Sequence, residues 1–133
     1  MSENLDLVRS ILAGWERGDF SASEWAHPAI EYVIADGPSP GAWKGLDGMA
    51  EGARANIDAW EEFRFVADGY RELDDKSVLA LVHWVGHGKR SGLELGEIRS
   101  EGAQIFYVHA GRVVRFAHYW DRDRALADLG LAE

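Results

Sequence analysis

Three side chains in the second half of the sequence are of types that move protons. His118 lies in the stretch FAHYWDRDRAL, three residues before Asp121, and His83 lies in the apolar stretch from Val78 to Gly88. An imidazole in apolar surroundings can act as a general base near neutral pH, and a carboxylate can complete an acid/base pair. The sequence therefore makes His118, Asp121 and His83 the candidates for catalysis, provided that the fold brings them together.

The predicted last strand, from Arg112 to Trp120, decides where His118 points. Side chains alternate along a strand, so one face carries His118, Trp120, Phe116 and Val114. The opposite face then carries Arg115, Ala117 and Tyr119. We expect the first face to look into the protein, with Phe116 and Trp120 as ligand-contacting rings. The structural alternative is a partly buried histidine that bonds to a neighbouring side chain.

Asp121 has two interpretations. It follows a strand and precedes the helical pattern that ends at Leu129, which is the position of a helix N-cap. Alternatively, its carboxylate works as an acid or base beside His118. The cap is the simpler interpretation, and both stay open at the level of sequence.

His83 is a catalytic partner of His118 only if Leu79, Leu81, His83 and Val85 face the interior; on the other face it lies in a subunit contact. With His87 it forms an HxxxH spacing, which binds zinc on a helix. On a strand this spacing covers about 13 Å, too far for one ion. The sequence contains neither HExxH nor cysteine, so it predicts no metal and no cofactor.

Other residues suit the binding of a small, largely apolar molecule. The chain has six tryptophans, of which Trp15 lies on the apolar face of the first predicted helix. Such a ring is either core or the wall of a pocket for a flat ligand. Glu31 and Tyr32 in the first predicted strand would place a polar group near the mouth of that pocket. Their alternatives are a solvated carboxylate and a packed ring.

The pattern of elements predicts one α+β domain over residues 1–133. A helix with Leu5, Val8, Ile11, Leu12 and Trp15 on one face precedes a short second helix near residues 21–24. A strand at 29–35, a loop at 36–45 and a third helix from Asp47 follow. Period-two strands then cover 63–73, 78–88, 93–109 and 112–120, with a closing helix at 121–129. This order predicts a curved mixed or antiparallel sheet wrapped around about three helices.

The strand at 78–88 is apolar on both faces, which is typical of a central strand. Helices on one side of a sheet leave the other side bare. We therefore expect a homodimer that forms through the sheet.

Composition excludes several classes of function. The net charge of −9 would repel a phosphate backbone, which argues against nucleic-acid binding. No apolar run reaches the ~18 residues needed to cross a bilayer, and the first residues do not resemble a signal peptide. A cytoplasmic protein without disulfides fits these features.

Four stretches together resemble a known superfamily. They are GWERGDF, HPAIEYVIADGPSPGAWKG, GKRSG and HAGRVVRFAHYWDRDRAL, in this order along nearly the whole chain. The sequence is similar to the nuclear transport factor-like superfamily, which includes ketosteroid isomerase, and within it to the SnoaL-like group. The resemblance implies a cone-shaped domain, usually dimeric, with an apolar pocket on the concave face of the sheet.

The resemblance also carries expectations for single residues. Ketosteroid isomerase has polar groups at positions that we align with Ile11, Val33 and Ala103, and these apolar residues argue against that activity. Related enzymes direct the position of His118 into the pocket, and SnoaL-like cyclases use an aspartate close to Asp121. The resemblance thus favours a cyclase, dehydratase or isomerase type of chemistry without cofactor, with a non-catalytic ligand-binding or dimerisation module as the alternative.

Overall fold

The structure, a computed structural model, describes residues 3–17, 24–36, 40–57, 60–88 and 101–131. In this part of the chain, three helices accompany a six-stranded sheet. The helices are α1 (Glu3–Glu16), α2 (Gly45–Ile57) and α3 (Arg122–Asp128). The strands are β1 (Ala26–Ile34), β2 (Gly41–Lys44), β3 (Trp60–Glu72), β4 (Ser77–Gly88), β5 (Glu101–His109) and β6 (Arg112–Tyr119). The α+β class is confirmed.

The sheet is mixed, and its strand order is β2-β1-β6-β5-β4-β3. β1 runs parallel to β6, and every other neighbouring pair is antiparallel. β4 lies between β3 and β5, as its apolar sequence predicts. The loop predicted at 36–45 is wrong at its end, because Gly41–Lys44 pairs with β1 as an edge strand. Glycine and proline nearby concealed this short strand.

We call the sheet face that α1 and α2 cover the inner face. Its core includes the α1 side chains Val8, Ile11, Leu12 and Trp15, which pack against the strand residues Tyr32, Val82, Phe106 and Phe116. α2 lies very close to β1 and β2: a Cβ atom on Gly52 would come within 2.7 Å of the Trp43 ring and 3.0 Å of the Tyr32 ring. The absence of a side chain at Gly52 therefore sets how closely α2 approaches the sheet.

The strict alternation predicted for β6 is wrong at its start. Phe116 pairs with Phe106, but Val108 pairs with Val113, so Val114 is an extra residue in the ladder. Such a bulge reverses the alternation on one side of it. Val113 is therefore buried on the inner face in place of Val114, whereas Phe116 and His118 keep their predicted side.

We call the opposite side the outer face. It carries a second apolar cluster in which Leu79, Ile105 and Ala117 pack with Ala125 of α3. Arg122 fastens this helix to the sheet, since its guanidinium donates to the Val82 carbonyl at 2.7 Å and to the Gly102 carbonyl at 3.1 Å. The sequence argument assumed a bare outer face, yet the chain covers part of it with its own closing helix.

Two predictions lie outside the described residues: the short second helix, apart from the turn at Glu24 and Trp25, and the beginning of the strand predicted at 93–109.

Among the residues that the structure describes, no helix combines the length and the apolar character needed to cross a membrane.

Candidate functional site

His118 lies on the inner face of β6, as its alternation with Ala117 and Tyr119 predicts. Its side chain is buried, with an exposed fraction of 2% for the residue. The Phe65 ring meets the imidazole edge-on with 5.4 Å between centroids, and the Trp120 ring does so at 5.0 Å and 89°. The imidazole is thus held between aromatic rings in the interior of the domain.

Gln104 of β5 is the polar neighbour of this imidazole. The two residues are direct partners across the β5–β6 ladder, and Gln104 Nε2 lies 3.3 Å from His118 Nδ1. Burial lowers the pKa of His118 to about 3, because a charged imidazolium loses its hydration in the interior. The ring is therefore neutral at physiological pH, and an imidazole with so low a pKa is a weak base.

The backbone beyond His118 is fixed by the end of β1. Asp36 accepts the Trp120 N–H at 2.6 Å and the Asp121 N–H at 3.2 Å. The Ala35 N–H donates to the His118 carbonyl at 3.0 Å. These bonds hold the chain segment that carries the Trp120 ring against the imidazole. Sequence reasoning missed Asp36, because its partners lie more than eighty residues away.

Asp121 is the N-cap of α3. One carboxylate oxygen accepts the Asp123 N–H at 3.0 Å and the Arg124 N–H at 3.4 Å. Its backbone is extended, as an N-cap requires. The carboxylate thus bonds to the first turn of its own helix, in agreement with the simpler of the two interpretations.

His83 lies on the outer face, so the structure does not bring it together with His118. It alternates with Val82, which is buried in the inner core. Its Nδ1 atom is 2.7 Å from Asp68 Oδ1, and the other oxygen of Asp68 accepts from Arg122 at 2.7 Å. Burial alone would raise the pKa of Asp68, but the hydrogen bonds from Arg122 and His83 outweigh it and lower the pKa. The expected acid/base pair of the two histidines is therefore not formed.

The two candidates on β1, Glu31 and Tyr32, lie on opposite faces of the sheet. Glu31 faces outward, where it pairs with Arg115 at 3.3 Å while 41% of its side chain stays exposed, in agreement with the alternative of a solvated carboxylate. Tyr32 faces inward and stacks on Phe116 with 5.0 Å between centroids. Burial raises the pKa of the Tyr32 hydroxyl, which makes this group an uncharged wall of the site.

Trp15 forms the floor of the inner aromatic cluster. Its ring lies 5.5 Å from that of Phe116 and 5.7 Å from that of Phe65. It also borders a surface cleft of about 380 Å³ between α1 and the turn at Trp25. Trp15 is therefore mainly core and only marginally a cleft wall.

A second cleft opens beside His118. It has a volume of about 340 Å³ and is lined by Glu101, Trp120, Asp121, Arg122 and Asp123. Trp120 borders this cleft and also touches the imidazole. The half-buried Trp120 ring therefore contacts His118 on one side and a space that opens to solvent on the other.

Two of the positions aligned with ketosteroid isomerase, Val33 and Ala103, belong to the outer cluster. The next residue of β5 after Ala103 is Gln104, a polar side chain that is buried beside His118 on the inner face. Counting back by two from Phe106 along β5 would have found it.

In the part of the chain with described placement, no three His, Asp or Glu side chains lie close enough together to hold a metal ion.

Solved structures resemble the chain along nearly its whole length. An NTF2-like protein of unknown function from Burkholderia pseudomallei has a TM-score of 0.77 at 20% identity, covering 96% of this chain and 97% of that one. A protein with a ketosteroid isomerase-like fold from Catenulispora acidiphila, in complex with trimethylamine, has a TM-score of 0.67 at 14% identity, covering 95% and 93%. A protein named as a SnoaL-like polyketide cyclase from Jannaschia sp. has a TM-score of 0.68 at 12% identity, covering 98% and 93%.

These similarities establish the class of fold. The chain has the NTF2-like α+β fold that ketosteroid isomerase-like and SnoaL-like proteins share, as the sequence resemblance implied. No protein-family model and no curated protein matches the sequence. Function must therefore be argued from the residues of the site.

Proposed function

We propose that the protein binds a small, largely apolar molecule on the inner face of the sheet, beside His118. The observation that carries this proposal is a neutral imidazole, buried among aromatic rings, in contact with the Trp120 ring, which also lines an open cleft. Binding sites for small molecules combine apolar walls with a few such polar groups.

Trp120 supplies the route to this site. Its ring lines the cleft on one side and contacts the imidazole on the other, so a rotation of the Trp120 side chain joins the two. The Asp36 bonds hold the Trp120 backbone while the side chain turns. The trimethylamine complex of the Catenulispora protein supports small-molecule binding in this fold.

Cofactor-independent acid/base chemistry of the cyclase, dehydratase or isomerase type is the second candidate. The observation that favours it is the contact between Gln104 and His118 Nδ1, which fixes the tautomer of the ring. Because the Gln104 amide Nε2 donates to His118 Nδ1, Nδ1 acts as an acceptor, and the imidazole carries its proton on its own Nε2 atom. A neutral imidazole then polarises a substrate carbonyl by donating a hydrogen bond, which suits its low pKa better than proton abstraction does.

The test compares wild type with His118→Phe, which keeps an apolar ring in the site and removes the polar atoms. Cyclic ketones, lactones and epoxides serve as ligands, with binding followed by calorimetry and turnover by mass spectrometry. We expect His118→Phe to weaken binding about tenfold, because one buried hydrogen bond is lost. Conversion of a compound by wild type but not by His118→Phe favours the enzyme over the binding module.

His83→Phe is the matched control, since it makes the same exchange on the outer face and should bind as wild type does. Equal binding and equal turnover by wild type and His118→Phe would remove the basis of both candidates.

A homodimer in the cytoplasm completes the proposal. Half-buried apolar side chains of the outer face, among them Val33 of β1 and Tyr107 of β5, are the candidates for the contact with a second subunit.

A further inference from the structure

Gln104 has an unsatisfied acceptor in the interior. The residue is fully buried, and among the residues that the structure describes its side chain has one hydrogen-bond partner, His118. The Oε1 atom of Gln104 is buried, and no described residue donates a hydrogen bond to it. Buried amide oxygens are nearly always bonded in native proteins, so an exception needs an explanation, and a bound molecule that supplies the missing hydrogen bond is one.

The surroundings of Gln104 limit what this partner can be. Gln104 Nε2 is engaged with the imidazole, so Oε1 is the side-chain atom left for a ligand. The carbonyl oxygen of a glutamine side chain accepts hydrogen bonds and cannot donate them. The neighbouring imidazole is held neutral by burial, and a charged ligand group would meet the same loss of hydration.

We infer that the ligand is an uncharged, flat molecule that donates one O–H or N–H hydrogen bond to Gln104 Oε1. This inference rests on the proposed function and narrows it, because a molecule with only acceptor atoms would leave Oε1 unsatisfied. Gln104 is thus a specificity-determining residue, in addition to its contact with His118. The aromatic rings of the site contact the apolar part of the ligand, and Gln104 Oε1 accepts the hydrogen bond from its O–H or N–H group.

Two isomers test this inference because they have the same size and differ in one donor. 3-Methylindole keeps its N–H group, and 1-methylindole has none. Calorimetry on the full chain should show that wild type binds 3-methylindole about tenfold more tightly, the usual effect of one buried hydrogen bond. Gln104→Met keeps the approximate volume and removes the acceptor, so it should bind both isomers equally.

Ile105→Met is the control, since it alters the next residue of β5 on the outer face and should keep the wild-type preference. A crystal structure of the 3-methylindole complex should place the N–H within hydrogen-bond distance of Oε1, and an N–H directed elsewhere overturns the inference.

The outcomes separate the inference from the proposed function. Equal affinity of wild type for both isomers overturns the role of Gln104 and leaves the apolar site standing. Binding of neither isomer contradicts the proposed apolar site, and the inference falls with it. A preference that survives in Gln104→Met assigns the donor to another group and also overturns the inference.

Discussion

At the residue scale, the central fact is that His118 is neutral because it is buried. Phe65 and Trp120 surround the imidazole with rings, and the polar contact from Gln104 is uncharged. Loss of hydration on burial therefore lowers the pKa of His118 to about 3. A neutral donor or acceptor of hydrogen bonds is the chemical role that this environment supports.

This low pKa predicts how stability depends on pH. The folded pKa of His118 is about 3 and the ordinary value is 6.5, so between these values the unfolded chain binds a proton that the folded chain does not. The free energy of unfolding therefore falls as the pH drops through this window. Between about pH 7 and about pH 5 the loss from this group is about 2 kcal/mol.

Urea unfolding of wild type and His118→Phe at these two pH values measures the contribution, because the other titrating groups are common to both proteins. Wild type should lose more stability on acidification than His118→Phe does. Parallel losses would mean that the imidazole is not buried in its neutral form.

At the scale of elements, the end of β6 is shaped by two aspartates. Asp36 holds the backbone of Trp120 and Asp121 from the end of β1, and Asp121 in turn caps α3. The strand therefore passes into the helix within two residues, and the Trp120 ring is left between the imidazole and the cleft. The segment Trp120–Asp121, in which the sequence predicts a catalytic residue, thus connects β6 to α3 and caps the helix.

The cap predicts a specific pattern of stability changes. Asp121→Ala removes the acceptor of two N–H groups and should lower the free energy of unfolding by about 0.5–2 kcal/mol. Asp121→Asn keeps an acceptor and should recover most of this loss. Asp123→Ala, in the same helical turn, is the control and should stay within about 0.5 kcal/mol of wild type.

Ligand binding measured on the same proteins separates the two interpretations of Asp121. A cap leaves affinity nearly unchanged in Asp121→Asn. Loss of turnover in Asp121→Asn at unchanged stability would restore the acid/base interpretation.

At the scale of the whole molecule, the two faces of the sheet have different tasks. The inner face carries the aromatic cluster and the polar pair of His118 and Gln104. The outer face carries α3, the ion pairs of Arg122 and a smaller apolar cluster. His83, whose face the sequence left open, and Glu31, a candidate for the pocket mouth, both lie on the outer face, where His83 contacts Asp68 and Glu31 pairs with Arg115.

We predict that the homodimer forms through half-buried side chains of the outer face beside α3. Tyr107 lies there with the Arg115 guanidinium 5.5 Å from its ring centroid. Tyr107→Glu should shift the protein from dimer to monomer in sedimentation experiments, because a carboxylate in an apolar contact loses its hydration. Ser10→Glu, which adds the same charge on the exposed side of α1, should leave the dimer intact. Wild type that sediments as a monomer at all concentrations contradicts the prediction.

The sequence by itself determined the local features of this protein. Each of these features depends on a few neighbouring residues: the apolar spacing in α1, the period-two patterns in β3 to β6 and the cap at Asp121. The same holds for the inward direction of His118, which it shares with Phe116 by alternation along the strand. Composition and the order of elements sufficed for the α+β class, and the resemblance of four stretches sufficed for the superfamily fold.

Only the tertiary structure decided which residues meet. The bulge at Val114 shifts one strand against the next, the parallel pairing of β1 and β6 brings Asp36 to Trp120, and the β5–β6 register places Gln104 opposite His118. The face that His83 occupies likewise follows from where α1 and α3 pack. Pairing across strands joins residues far apart in the chain, and alternation within a strand fixes relative directions without saying which face a helix will cover.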